Sequence, residues 1–97
     1  MEYELIFHTE ANKEILESEQ WYFKRSKKAH KAFINSFIFA IDLVQKDPFA
    51  FPIVYDNKRR VILTKFPFSI IYTISNKTIF ILSIFHHSRN PFIWKER

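Results

Sequence analysis

The fold is decided by a segment of three strand-like runs, RRVILTKFPFSIIYTISNKTIFILSIF, at residues 59–85. The first two runs, 59–66 and 68–74, are typical of strands, and Pro67 turns the chain between them because proline cannot donate to a strand ladder. A hairpin turn with Asn76 at positive φ is expected to join the second run to the third. The third run, 79–85, is almost continuously apolar, which indicates a central strand buried on both faces.

Upstream of this segment, the sequence predicts one strand followed by a helical hairpin. The predicted elements are a strand at 3–8 and helices at 10–25 and 27–46. Alternation of apolar side chains indicates the strand, and apolar spacing of three and four residues indicates the helices. Thr9 and Ser26 are the expected N-caps. The second helix is expected to end at Asp47-Pro48, because a residue before proline avoids the helical region.

The remaining elements complete an α+β fold of the order β-α-α-β-β-β. A loop at 49–55 ends in a short edge strand, and a turn follows at 56–58. We expect one domain over residues 1–97, with the helix hairpin packed on one face of a mostly antiparallel sheet. The opposite face is expected to stay uncovered and to present the polar side chains of Arg60, Thr64, Ser69 and Thr73.

Composition excludes several classes of protein. The chain has 97 residues, with no Gly and no Cys. Lack of Gly excludes a Walker A loop, a dinucleotide-binding turn and a nucleophile elbow. Lack of Cys excludes disulfides, thiolate metal sites and a cysteine nucleophile. The four His have no recognised ligand spacing, so neither a metal nor a cofactor is predicted. A surface for a large partner is favoured over a pocket for a small-molecule substrate.

Charge is distributed unevenly along the chain. Residues 1–20 hold six acidic and one basic residue, whereas residues 21–97 hold fourteen basic and four acidic ones. This asymmetry indicates either a nucleic acid or an acidic protein segment as partner; the alternative is that exposed lysines only keep an aromatic-rich domain dissolved. The longest apolar stretches, 37–41 and 79–85, are far short of the ~20 residues of a bilayer span. The acidic N-terminus is unlike a secretory signal, and we expect a cytoplasmic protein without membrane contact.

Two parts of the C-terminal half resemble the RelE/ParE toxin superfamily. The first is the deciding segment up to Ile74, in which an Arg and an apolar strand precede Phe-Pro-Phe and a strand that contains Tyr72. The second is the apolar run at 79–85 and the pattern that follows it, formed by His86, Arg89, Pro91, Trp94 and Arg97. An acidic first helix with Trp21-Tyr22 and a second helix ending at Pro48 extend the resemblance over nearly the whole chain.

The resemblance implies the β-α-α-β-β-β fold and the toxin of a bacterial type II toxin–antitoxin module, which a small cognate antitoxin holds inactive. RelE-like members cleave messenger RNA in the ribosomal A site, whereas ParE-like members inhibit DNA gyrase. The motif spacing is closer to the ParE-like, or plasmid-stabilisation, type. Our first hypothesis is therefore a gyrase inhibitor. The alternatives are a ribosome-dependent mRNA interferase and a degenerate toxin that only binds antitoxin.

Candidate site residues follow from these alternatives. RNA cleavage needs a base, an acid and cations around the phosphate, and the candidates are His86 and His87 for proton transfer with Arg60 and Arg89 as phosphate clamps. No Tyr follows Tyr72, although RelE-like enzymes often carry a catalytic Tyr or His near the C-terminus, and this weakens the nuclease hypothesis. The candidates for target or phosphate binding are Arg59, Arg60, Lys65, Arg89, Trp94 and Arg97.

Several of these residues also fit purely structural roles. Either histidine alone fits a strand cap, and Arg60 fits an ion pair with Asp56 or the C-terminal carboxylate. Trp94 fits a packing anchor for the tail better than a platform for base stacking. Trp21 and Tyr22 are expected in the core or at the rim of the helical hairpin.

Overall fold

A helical hairpin covers one face of a five-stranded sheet in a computed structural model that describes residues 3–90 and 93–97. The elements are β1 (Glu4–Phe7), α1 (Thr9–Arg25), α2 (Lys27–Lys46), β2 (Ile53–Tyr55), β3 (Lys58–Ile62), β4 (Phe68–Ser75) and β5 (Thr78–His86). The strand order is β1-β5-β4-β3-β2, with β1 parallel to β5 and the other pairs antiparallel. The predicted element order and fold class are confirmed.

The main core lies between the sheet and the hairpin. Its largest fully buried side chains include Phe33, Ile70, Tyr72, Ile79 and Ile81. Each such aliphatic or aromatic side chain contributes roughly 1.5–3 kcal/mol by leaving water. The phenol of Tyr72 is satisfied within the core, because its hydroxyl donates to the Pro48 carbonyl at 2.6 Å. The prediction that Tyr72 belongs to the core is confirmed.

The N-terminus of α1 corrects one predicted N-cap, and the N-terminus of α2 confirms the other. His8, not Thr9, is the N-cap of α1, and its Nδ1 accepts the Glu10 N–H at 3.0 Å. The sequence alone favours Thr, which is the commoner cap, but an imidazole nitrogen can accept the same hydrogen bond. Ser26 caps α2 as predicted, with its hydroxyl accepting the Ala29 N–H at 3.2 Å.

The strand expected over 59–66 is shorter than predicted. β3 ends at Ile62, and the chain turns through Lys65 at a φ of 68° before β4 begins. The turn is held by the Leu63 N–H, which donates to the Phe68 carbonyl. Asn76 has the predicted positive φ, at 55°. Because the chain has no Gly, each residue with positive φ adopts a left-handed backbone conformation that costs roughly 1–3 kcal/mol of folding free energy at a non-glycine residue.

A β-bulge in β5 redirects its side chains. Ile71 pairs with Ser83 but Tyr72 pairs with Ile81, so Leu82 is an extra residue in β5. Such a bulge shifts the alternation of faces by one residue. Ile79 and Ile81 face the main core before the bulge, and the shift makes Ile84 face it afterwards, so that Phe85 faces away from the hairpin like Leu82.

The second face of the sheet is partly covered, which corrects the prediction that it stays open. Trp94, 5% exposed, packs there with Ile71, Leu82 and Phe85. Ser69, expected to face solvent, is fully buried, and Thr64 lies in the turn beyond β3. Arg60 is exposed as predicted, and Thr73 is half-buried. The C-terminal residues Ile93 and Trp94 cover this face, because their own apolar side chains gain by leaving water.

No helix in the described parts of the chain has the length and apolarity needed to cross a bilayer.

Candidate functional site

The two adjacent histidines at the end of β5 lie on opposite faces of the sheet. The His86 ring packs against Phe68 of the main core at 5.0 Å between centroids, and the His87 ring lies near Phe85 of the second face at 6.2 Å. Successive residues of an extended chain point in opposite directions. The four residues suggested for nuclease chemistry therefore divide into two pairs, His87 with Arg60 and His86 with Arg89.

The first pair lies on the second face of the sheet. His87 Nε2 is 2.8 Å from the Ser69 hydroxyl. His87 is exposed overall, but partial desolvation of its ring lowers its pKa from the ordinary value. The positive charges of Arg60 and His86 lower this pKa further, and a hydrogen bond at the Phe68 backbone opposes the shift. At neutral pH this imidazole is therefore mainly uncharged. In that state it can act as a proton acceptor, but it adds little positive charge to attract a phosphate.

The second pair belongs to a groove between α1 and the end of the sheet. We name it the α1 groove; it has a volume of about 360 Å³ and is lined by Glu17, Trp21, Tyr22, Phe68, His86 and Arg89. His86 Nδ1 accepts the Ser88 N–H at 3.0 Å and lies 2.7 Å from the Ser88 hydroxyl. The Arg89 guanidinium is 4.0 Å from the Glu17 carboxylate and half exposed. The groove thus combines an aromatic floor with an arginine at its edge.

Two of the predicted binding residues hold the fold together at the second face and the sheet edge. Trp94 is buried against Tyr55 and Phe85. Arg97 donates to the Glu14 carboxylate at 2.9 Å and to the Leu82 carbonyl at 3.1 Å. Both side chains are therefore engaged inside the molecule.

Arg59 is also engaged internally. It donates to the carbonyls of Phe49 and Phe51 at 3.2 and 2.6 Å, and its guanidinium lies 5.2 Å from the Phe49 ring centroid. It holds the 49–52 loop beside Tyr72. Burial raises the pKa of Tyr72 to about 12, although the charge of Arg59 opposes that rise. Of the predicted binding cations, Arg60, Lys65 and Arg89 are the ones that are exposed.

Glu14 is the central residue that the sequence reasoning missed. β1 pairs with β5 only as far as Ile81, so the next part of β5 lacks a neighbouring strand on the edge that faces away from β4. One oxygen of the buried Glu14 carboxylate replaces that strand by accepting the Ser83 hydroxyl at 2.9 Å, the Ile84 N–H at 3.2 Å and the Arg97 guanidinium. A detectable signal existed: Glu14 is a carboxylate on the apolar stripe of α1, three residues after the buried Ala11.

Comparison with known proteins supplies the family. Residues 5–91 match the family model described as the ParE toxin of the type II toxin-antitoxin system, parDE. A solved structure titled "Chromosomal ParDE TA system from P. aeruginosa" aligns with a TM-score of 0.74 and 21% sequence identity, over 87% of this chain and 95% of that chain. This structural likeness confirms the fold. No curated protein matches the chain.

Proposed function

The chain belongs to the ParE toxin family of type II toxin–antitoxin systems, and from that membership we propose that it inhibits growth by binding DNA gyrase. The family match over residues 5–91 carries this proposal. Geometry supports a binding protein over a nuclease, because His86 and His87 lie on opposite sides of the sheet and no single site contains both with Arg60 and Arg89. The proposed target places its action in the cytoplasm.

We also propose a cognate antitoxin as the partner that neutralises the toxin. The similar solved structure is titled as a ParDE TA system. The surface here carries half-exposed apolar side chains on both helices and on β2, among them Trp21, Ile38, Phe39 and Ile53. Exposed apolar area next to a basic surface suits an amphipathic, acidic segment.

Supercoiling of relaxed plasmid by purified gyrase tests the target. We expect inhibition at micromolar toxin and recovery when the protein encoded by the adjacent reading frame is added. Unimpaired supercoiling at that concentration would contradict the proposed target.

A matched pair of lysines tests whether the exposed cations contact the target. Lys65 and Lys77 are both exposed and lie in the turns at opposite ends of β4. Lys65→Glu is expected to weaken inhibition several-fold, because charge reversal at an interface adds repulsion, whereas Lys77→Glu is expected to leave it within twofold. If both variants weaken inhibition equally, the loss follows from the change in net charge, and the proposed contact of Lys65 with the target is contradicted.

Ribosome-dependent RNA cleavage is the second candidate, favoured by one observation. The mainly uncharged His87 imidazole lies on the same face as the Arg60 guanidinium, which supplies a base and a cation on one surface. Primer extension on translated messages tests it: A-site cuts that disappear in His87→Ala and Arg60→Ala, and persist in His86→Ala, would establish the nuclease. Growth that continues unimpaired on expression without antitoxin would instead indicate a degenerate toxin.

A further inference from the structure

An aromatic side chain stands half exposed at the edge of the α1 groove. Trp21 is 51% exposed, and its ring meets Tyr22 edge-on at 4.9 Å between centroids. The Arg25 guanidinium lies 3.5 Å from the Trp21 ring centroid and also donates to the Trp21 carbonyl at 3.2 Å. These contacts fix the indole before any partner arrives. Tryptophan, tyrosine and arginine are the residue types that dominate binding energy at protein interfaces.

The charge around the α1 groove is positive. Residues 20–41 contain five basic side chains and no acidic one. Four of the five, Lys24, Arg25, Lys27 and Lys28, are exposed at the tip of the hairpin. The two carboxylates that line the groove are already engaged, Glu14 by Arg97 at 2.9 Å and Glu17 by Arg89 at 4.0 Å. A ligand that approaches the groove from the hairpin tip therefore meets the positive charge of these exposed side chains.

We propose that the α1 groove takes one aromatic or large aliphatic side chain from an acidic polypeptide segment of the antitoxin. The inference rests on the proposed toxin–antitoxin function and adds the place and chemistry of the contact. The apolar side chain packs on Trp21, Tyr22 and Phe68, and flanking carboxylates meet Arg25 and the hairpin-tip lysines. A phosphate backbone suits the groove less well than an apolar side chain, because Tyr22, Phe68 and Ile84 line it and offer a phosphate no hydrogen-bond donor beyond the Tyr22 hydroxyl.

Alanine variants on the two sides of α1 test the location. Trp21→Ala removes the proposed anchor, and we expect the affinity for the protein encoded by the adjacent reading frame to fall about 30-fold in calorimetric titration. Trp21→Phe keeps an aromatic face and is expected to recover most of that loss. Arg25→Ala is expected to lose about tenfold. Thermal unfolding of each variant verifies that it remains folded.

Phe23→Ala and Leu16→Ala are the matched controls. These residues are 53% and 56% exposed and line a separate shallow groove with His30, on the other side of α1. We expect both controls to stay within threefold of the parent affinity. An unchanged affinity in Trp21→Ala, or a larger loss in the controls than in Trp21→Ala, overturns the proposal.

A spectroscopic measurement tests the contact without changing the surface. The toxin contains two tryptophans, half-exposed Trp21 and buried Trp94. With 5-fluorotryptophan in the toxin alone, we expect the Trp21 fluorine resonance, assigned through Trp21→Phe, to shift on complex formation while the Trp94 resonance stays. Binding that leaves the Trp21 resonance in place overturns the location but not the antitoxin.

The remaining outcomes separate the two proposals. If the wild-type toxin does not bind the adjacent gene product at all, the antitoxin proposal fails and this inference fails with it. If Trp21→Ala and Arg25→Ala leave antitoxin affinity unchanged but weaken the complex on operator DNA, the hairpin tip is a nucleic-acid contact and the polypeptide proposal is overturned. Loss of antitoxin affinity in these variants, with DNA affinity of the residual complex unchanged, supports it.

Discussion

At the residue scale, the exposed residue His87 differs from an ordinary surface histidine through the partial desolvation of its ring and through its neighbour Arg60. Burial and the nearby positive charge both disfavour the imidazolium and lower its pKa below the ordinary 6.5. The protein therefore gains stability from this group as pH rises from the lowered folded pKa to 6.5, because only the unfolded chain binds the proton in that window. Below the folded pKa the contribution is lost.

We expect the His87 pKa to rise in Arg60→Gln, since one of the two lowering charges is removed. An NMR titration of the His Cε1–H resonances in both proteins measures it. Lys58→Gln is the control, because Lys58 lies in the same strand and does not contribute to the His87 shift. An identical His87 pKa in wild type and Arg60→Gln would contradict the contribution of the Arg60 charge.

Glu14 is the residue on which the edge of the sheet depends. Glu14→Ala leaves the Arg97 guanidinium and the Ile84 N–H without their acceptor, and removing one member of a buried ion pair costs roughly 3–5 kcal/mol. Arg97→Ala leaves the Glu14 carboxylate without its cation but still bonded to the Ser83 hydroxyl and the Ile84 N–H, and it is expected to cost less, about 1.5–3 kcal/mol. Urea unfolding of both single variants and the double variant measures the coupling. Strict additivity would contradict the network.

At the scale of elements, α2 begins with an electrostatic mismatch. Its first turn carries Lys27 and Lys28 and no acidic residue, although a helix N-terminus favours negative charge. We expect Lys28→Glu to raise the free energy of unfolding by about 0.5–1 kcal/mol and to weaken antitoxin binding at the same time. Lys31→Glu, one turn further, is the control for stability and is expected to give no such gain. A loss of stability in Lys28→Glu would contradict the dipole argument.

The elements themselves follow closely from periodicity, while their long-range contacts do not. Helical spacing predicted α2 to its last residue, and the polar turn at Asn76 predicted the β4–β5 hairpin, because both signals are local. The Leu82 bulge has no local signature in an apolar run, and only pairing with β4 reveals it. The 83-residue separation of Glu14 and Arg97 places their pairing beyond any local pattern.

In the candidate site, too, the features set by local patterns could be predicted and those set by long-range contacts could not. Strand alternation alone, continued from β5 through the two histidines, would have separated His86 from His87. The cover provided by Trp94 was not predictable in the same way, since a tail after Pro91 has no periodicity from which to derive its path. Burial of Trp94 and Arg97, two of the six predicted binding residues, follows from that cover.

At the scale of the whole molecule, the C-terminal segment functions as part of the second apolar cluster. Trp94→Ala opens the packing over Ile71, Leu82 and Phe85, and we expect a loss of about 3–5 kcal/mol in urea unfolding. Trp94→Phe is expected to cost less than half as much, because the indole N–H has no hydrogen-bond partner in the described residues to lose. Equal losses in the two variants would indicate that the N–H is paired in solution.

The parallel pairing of β1 with β5 also has a consequence for how the toxin folds during its synthesis. β1, residues 4–7, leaves the ribosome before the other four strands, yet its neighbour in the described sheet is β5 at residues 78–86. Contacts this distant in sequence form late in folding. A nascent chain interrupted before β5 therefore lacks the strand that lies between β1 and β4, and β1 has no partner. We therefore expect the folded toxin to bind its target or its antitoxin only after translation has passed β5.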